Sequence, residues 1–66
     1  MKNYHFCETV SGEEFLVGAD TYEEAREIAE SVALDLSETW HTGCWDLEYY
    51  GTMSNFWAEC SGLDEY

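Results

Sequence analysis

The chain has 66 residues, 45% hydrophobic and 17% aromatic, and sets fifteen Asp and Glu against Lys2 and Arg26 alone, a formal net charge of -13. That length allows one domain, which buries only about 60% of the surface its unfolded chain exposes, and leaves no cleft between domains for catalysis. The aromatic content excludes the composition of disordered chains, and the sign of the charge excludes direct binding to DNA, RNA or an anionic membrane face.

From Asn3 to Val10 the residues Tyr4, Phe6 and Val10 fall at period-2 positions, and Ser11-Gly12-Glu13 follows as a turn signal. Glu14 to Ala19 then places Phe15, Val17 and Ala19 on one side, so the two runs read as a β-hairpin. Thr21 and Glu24 stand at capping-box spacing, where the Thr oxygen takes an orphan amide and Glu24 reaches back. Tyr22, Ala25, Ile28, Ala29, Val32, Ala33 and Leu36 recur at the spacing of an amphipathic helix, expected over about Tyr22–Glu38. Trp40 extends the stripe by a turn, and Gly43 is the expected stop.

Cys44 to Tyr50 alternates again, with Trp45, Leu47 and Tyr49 on one side and Asp46 and Glu48 on the other, which predicts a half-buried third strand. In the last stretch Phe56, Ala58 and Cys60 alternate as a strand would. Ser54 as N-cap and Gly62 at C′ favour a short C-terminal helix instead. The expected fold is α+β: a three-stranded antiparallel sheet, β-β-α-β in order, with one amphipathic helix across one face.

Turning the apolar stripe to the sheet leaves Glu23, Glu24, Glu27, Glu30, Asp35 and Glu38 toward solvent with only Arg26 among them. Like charges at three- and four-residue spacing cost a helix a few tenths of a kcal/mol per pair, roughly. A solvated face is the ordinary reason for such a row. Here Glu13, Glu14, Asp20, Asp46, Glu48, Glu59, Asp64 and Glu65 carry the acidity through every segment, beyond the magnitude of about 2–8 that solubility asks of a small domain. The expected partner surface is therefore Glu23, Glu24, Glu27, Glu30, Asp35 and Glu38 with Asp46 and Glu48 of the third strand, offered to a basic protein. Habitat in high salt would bias composition in the same direction.

Cys7, Cys44 and Cys60 are odd in number and no secretory apolar core follows Met1, so a reducing compartment is expected. His5-x-Cys7 and His41-x-x-Cys44, with Cys60, hold the atoms a zinc site uses, but not at zinc-finger or zinc-ribbon spacing, and core cysteines are the better reading. No cofactor, metal or catalytic group is expected, because one thin layer of sheet and helix offers little enclosure for Cys or His chemistry. Of Trp40, Trp45, Trp57, Tyr49 and Tyr50, about three are expected in the core. Tyr50 and Trp57 are the expected exposed anchors. A monomer and a homodimer both stay open.

The hairpin followed by Thr-Tyr-Glu-Glu-Ala-Arg-Glu-Ile-Ala-Glu, Thr21–Glu30, and the acidic ending Ser-Gly-Leu-Asp-Glu-Tyr, Ser61–Tyr66, together resemble small phage-encoded anti-CRISPR proteins, including DNA-mimic inhibitors of type I-C interference complexes. The resemblance implies a protein of the host bacterial cytoplasm whose acidic surface occupies the site where a Cascade complex, through its large subunit, grips duplex DNA near the PAM. It carries no individual functional residue over to this chain. Two other readings remain beside it: a polyanionic inhibitor of a different DNA-binding protein, and a small metal-binding or structural accessory protein.

Overall fold

A computed structural model describes residues Met1–Tyr66. The elements run β1 (Lys2–Glu8), β2 (Glu13–Ala19), α1 (Tyr22–Thr39), β3 (Leu47–Met53), α2 (Asn55–Ser61) and β4 (Asp64–Glu65). The α+β class, the hairpin, the long helix and the short C-terminal helix are as the sequence predicts. The sheet is larger and mixed: its order is β3-β1-β2-β4, antiparallel throughout except for β4, which runs parallel to β2.

Alternation on β1 and β2 sends Tyr4, Phe6, Phe15, Val17 and Ala19 to one face, where they form the core with Ala25, Ala29 and Val32 of α1. The sheet supplies the bulk and the helix supplies small residues, so α1 can lie close against the rings. Each large side chain buried this way is worth about 1.5–3 kcal/mol. Tyr22 closes the near end, its ring 4.9 Å from Tyr49 and 6.2 Å from Phe6, centroid to centroid.

The opposite face is also covered, because Leu16 there is only 1% exposed and Cys7 is buried beside it. The β2-α1-β3 and β3-α2-β4 connections both join parallel strands, and they run across the sheet in opposite directions. If both are right-handed, as such crossovers almost always are, they must pass over opposite faces. The burial of Leu16, Cys7 and Ala58 agrees with α2 crossing the face that α1 leaves free. The last residue completes the edge: Tyr66 N donates to Leu16 O at 2.8 Å and Gly18 N to Tyr66 O at 2.9 Å.

Two boundaries and one helix stop differ from expectation. Val10 lies in the hairpin turn and is exposed, so it does not continue the Tyr4–Phe6 face. The third strand begins at Leu47, not Cys44, because Thr42 Oγ1 donates to Cys44 O at 2.8 Å and Asp46 is held by the hairpin turn, which keeps that segment out of the ladder. The long helix ends before Gly43: His41 N donates to Glu38 O and Thr42 N to Ser37 O, a Schellman closure in which His41, at φ 55, takes the left-handed position usually given to glycine.

At the hairpin turn sits a carboxylate that the sequence does not single out. Glu8, on the core side of β1, is fully buried and accepts from Ser11 N at 2.9 Å through Oε1, and from Val10 N at 3.0 Å and Asp46 N at 2.9 Å through Oε2. Burial by itself pushes this carboxyl up, and the hydrogen bonds from Asp46, Ser11 and Val10 outweigh it, leaving the pKa below the ordinary 4.5. Thr9 adds a second tie, its N donating to Asp46 O at 2.9 Å and its hydroxyl to Asp46 Oδ2 at 2.8 Å.

Two outcomes follow for stability. Glu8→Gln keeps the shape but puts an amide NH2 where an acceptor is needed, and is expected to lower the unfolding free energy by about 1–3 kcal/mol in urea titrations. Because folding depresses the Glu8 pKa, its contribution is complete above the ordinary 4.5 and is lost as pH falls through the lower folded value, so the variant should also lose that part of the acid dependence. His41→Gly relieves the left-handed backbone at α1's end, and thermal unfolding is expected to show a gain of about 1 kcal/mol.

Candidate polyanionic interface

Thr21 caps α1, accepting from Glu24 N at 3.3 Å, and the buried stripe Ala25, Ala29, Val32, Ala33 and Ser37 fixes the helix's rotation. That rotation presents Glu23, Glu24, Glu27, Glu30, Asp35 and Glu38 outward, all exposed except the half-buried Glu30. At 1.5 Å per residue the row from Glu23 to Glu38 covers about 22 Å of axis. Six charges over that length approach the spacing of one DNA strand, about 3.4 Å per phosphate.

Almost nothing offsets the row. Arg26 stands 3.9 Å from Glu30, a loose pair on the helix flank, and no basic residue lies in the last turn to complement the helix dipole. The sole other ion pair joins the N-terminal amine to Asp20 at 3.5 Å, and His5 Nε2 is hydrogen-bonded to Glu14 Oε1 at 2.9 Å. Of the fifteen carboxylates only Glu8 is buried.

The structure does not bring all eight expected contact residues together. Asp46 is exposed but sits in the loop before β3, tied to Thr9 and Glu8. Glu48 pairs in register with Cys7 and therefore faces the side of the sheet away from α1, where its Oε2 accepts from the Tyr50 hydroxyl at 3.3 Å. The helix row is one surface, and Asp46 and Glu48 belong to others. Sequence alternation had put Asp46 and Glu48 opposite Leu47 and Tyr49, and that part holds for Glu48.

The row is not purely acidic. Leu34 stands among the glutamates, 50% exposed, and Ile28, expected in the core stripe, is partly exposed at its margin. Leu34, Ser37, Glu38, His41 and Gly43 border an open depression of about 570 Å³ at the helix's C-terminal end. Such apolar surface beside carboxylates gives a long cationic side chain a place for its stem as well as its head.

The aromatic residues depart furthest from expectation. None of Trp40, Trp45, Trp57, Tyr49 and Tyr50 is buried, and the tryptophans are 56%, 36% and 63% exposed. The core is built instead on Tyr4, Phe6 and Phe15, whose strand alternation is unbroken by turns. Tyr50 and Trp57 are exposed as expected, and Phe56 joins Trp57, ring centroids 5.4 Å apart. Tyr50 lies edge-on to His5 at 5.1 Å. Its hydrogen bond with the Cys7 thiol first, then burial and the charge of Glu48, push its hydroxyl up to about 12.

Cys7 is buried as a core cysteine should be, while Cys44 and Cys60 are exposed. No group of three or more His, Cys, Asp or Glu side chains stands close enough to hold a metal ion, and no helix is long and apolar enough to cross a membrane. No protein-family model, curated protein or solved structure matches this chain.

The negative potential of the molecule as a whole has a direct optical readout, since all three tryptophans are accessible. Caesium is expected to quench their fluorescence more than iodide does at low ionic strength, each normalised to a free tryptophan amide, and the difference should collapse as the Debye length shrinks to about 3 Å near 1 M salt. Equal normalised quenching at low salt would contradict it.

Proposed function

We propose that this chain is a stoichiometric inhibitor that presents a DNA-like row of negative charge to the nucleic-acid-binding site of a basic protein. The observation that carries the reading is the outer face of α1, where six carboxylates repeat along one helix with a single loosely placed arginine. Like-charge pairs at this spacing work against the helix, and Lys at any of these positions would relieve them. A surface that keeps repulsion it could shed is accounted for by a partner that neutralises it.

A groove of Lys and Arg that binds phosphates derives most of its non-specific affinity from charge. A folded polyanion competes for the same side chains without base contacts, and its row is held in place before binding by the buried stripe of α1. The target we propose is a type I-C Cascade complex in the host bacterial cytoplasm, engaged where its large subunit holds the PAM-proximal duplex, as the resemblance to anti-CRISPR proteins implies. The alternative target within the same mechanism is another DNA-binding protein of the host.

Competition decides the matter. Titrating the protein into type I-C Cascade with labelled PAM duplex is expected to displace the DNA, with an effect that weakens as salt rises. The triple substitution Glu23→Lys, Glu27→Lys and Glu30→Lys should weaken competition by well over about tenfold while leaving the helix folded by circular dichroism. Absence of competition with Cascade, together with capture of a different DNA-binding protein from host lysate, would move the target. Competition that ignores both salt and the triple substitution would remove charge mimicry altogether.

A further inference from the structure

We propose that the outer edge of β3 is a second contact for the same partner, one that accepts an extended cationic segment as an added strand; this rests on the polyanionic reading above. In the order β3-β1-β2-β4, β3 is bonded on one side only, over seven residues from Leu47 to Met53, whereas the far edge of the sheet ends in the two-residue β4. Of the devices that blunt open edges, Leu47–Met53 has no Lys or Pro, and what it does have, a bulge and an acidic residue, turns away flat or acidic strands more than a flexible basic one. Its one charged residue is Glu48, and exposed Asp46 stands just before it.

The identity of the occupant follows from charge and shape. A second copy of this chain would bring another -13 to the contact, and net charge of that size keeps chains apart. The edge is also bent. His5 pairs with Gly51 and Phe6 with Tyr49, so Tyr50 is an extra residue bulged out of the ladder, and Gly51 beside it takes φ 106. The bulge splits the edge into Leu47–Tyr49 and Gly51–Met53, which a stiff strand of another domain follows poorly and a flexible peptide can follow.

Two rings flank the edge, one on each face. Tyr49 packs with Tyr4, Phe6 and Tyr22 on the α1 side, and Tyr50 lies against His5 on the other. Both remain partly exposed. An incoming strand sends alternate side chains to the two faces, so arginines at such positions can lie over a tyrosine ring or reach Glu48 and Asp46, while the backbone completes the ladder.

The test uses the full chain, labelled with nitrogen-15, and a short capped peptide alternating arginine with valine. Its control carries the same charge but is N-methylated at every residue and has no amide N–H with which to form a ladder. Amide exchange is followed by NMR at low and high salt. The plain peptide is expected to slow exchange of amides within Leu47–Met53 by at least about tenfold at low salt, with the methylated control giving no such protection. Shifts confined to the outer face of α1, equal for both peptides, would overturn the edge contact and leave the polyanionic reading standing. Protection of β3 that grows with protein concentration and no peptide would assign the edge to a second copy and overturn the proposal. No perturbation anywhere at low salt would overturn both readings.

Discussion

The Glu8 carboxylate holds the sheet in register. It is the only buried acid in a chain with fifteen, and its two oxygens accept amides from both the hairpin turn and the loop leading into β3. A buried charge would ordinarily ask for a cationic partner, and this chain has only Lys2 and Arg26. Backbone N–H groups take that role instead. Since Glu8 pairs with Glu13 on one side and Leu47 on the other, the same residue fixes where β2 and β3 begin, and with them which side chains reach the core. A shift of one residue in either strand would turn its apolar side chains outward.

Once the sheet is registered, the remaining electrostatics are almost all unfavourable within the molecule. The N-terminal turn of α1 gains from Glu23 and Glu24, which face the positive end of the helix dipole, but Asp35 and Glu38 lie toward the negative end with no basic residue to offset them. The fold carries this because its stabilising contacts lie elsewhere: the aromatic layer of Tyr4, Phe6, Phe15, Tyr22 and Tyr49 over the small residues of α1. Division of labour between an aromatic interior, whose one acid is held by backbone amides, and an acidic exterior is what lets one thin domain display a rigid row of carboxylates.

The two hairpin strands and the long helix are legible because each has a sustained period bounded by a turn or a cap signal, Thr21 most clearly. The short second helix is legible from its ends, with Ser54 accepting from Trp57 N and Gly62 at φ 70. What escapes is whatever depends on contacts distant in sequence. Glu8 looks like one more surface acid until Asp46, thirty-eight residues away, donates to it. The pair Asp64–Glu65 is too short to show a period, and it becomes a strand only because β2 offers an open edge. Trp40 and Trp45 continue the helix and strand patterns in type but fall just outside both elements, so periodicity assigns them to a core they do not enter. For the interface, helical spacing suffices to gather six glutamates and aspartates on one face. Strand alternation already sets Glu48 opposite Leu47 and Tyr49, and so away from that row; it is the loop position of Asp46 that the pattern misses.

The route of the chain through the sheet leaves its two edges unequal in cooperativity. The β4 pairing with β2 joins residues 49 apart, Phe15 to Asp64 and Leu16 to Glu65, for two residues of ladder and the Tyr66 bonds, whereas β1 and β3, up to 50 residues apart, are held by six pairs. So long a closure for so little ladder makes β4 the strand expected to open first. The far edge of the sheet is thus its least cooperative part: local opening there frees β2's outer edge before the hairpin and α1 come apart.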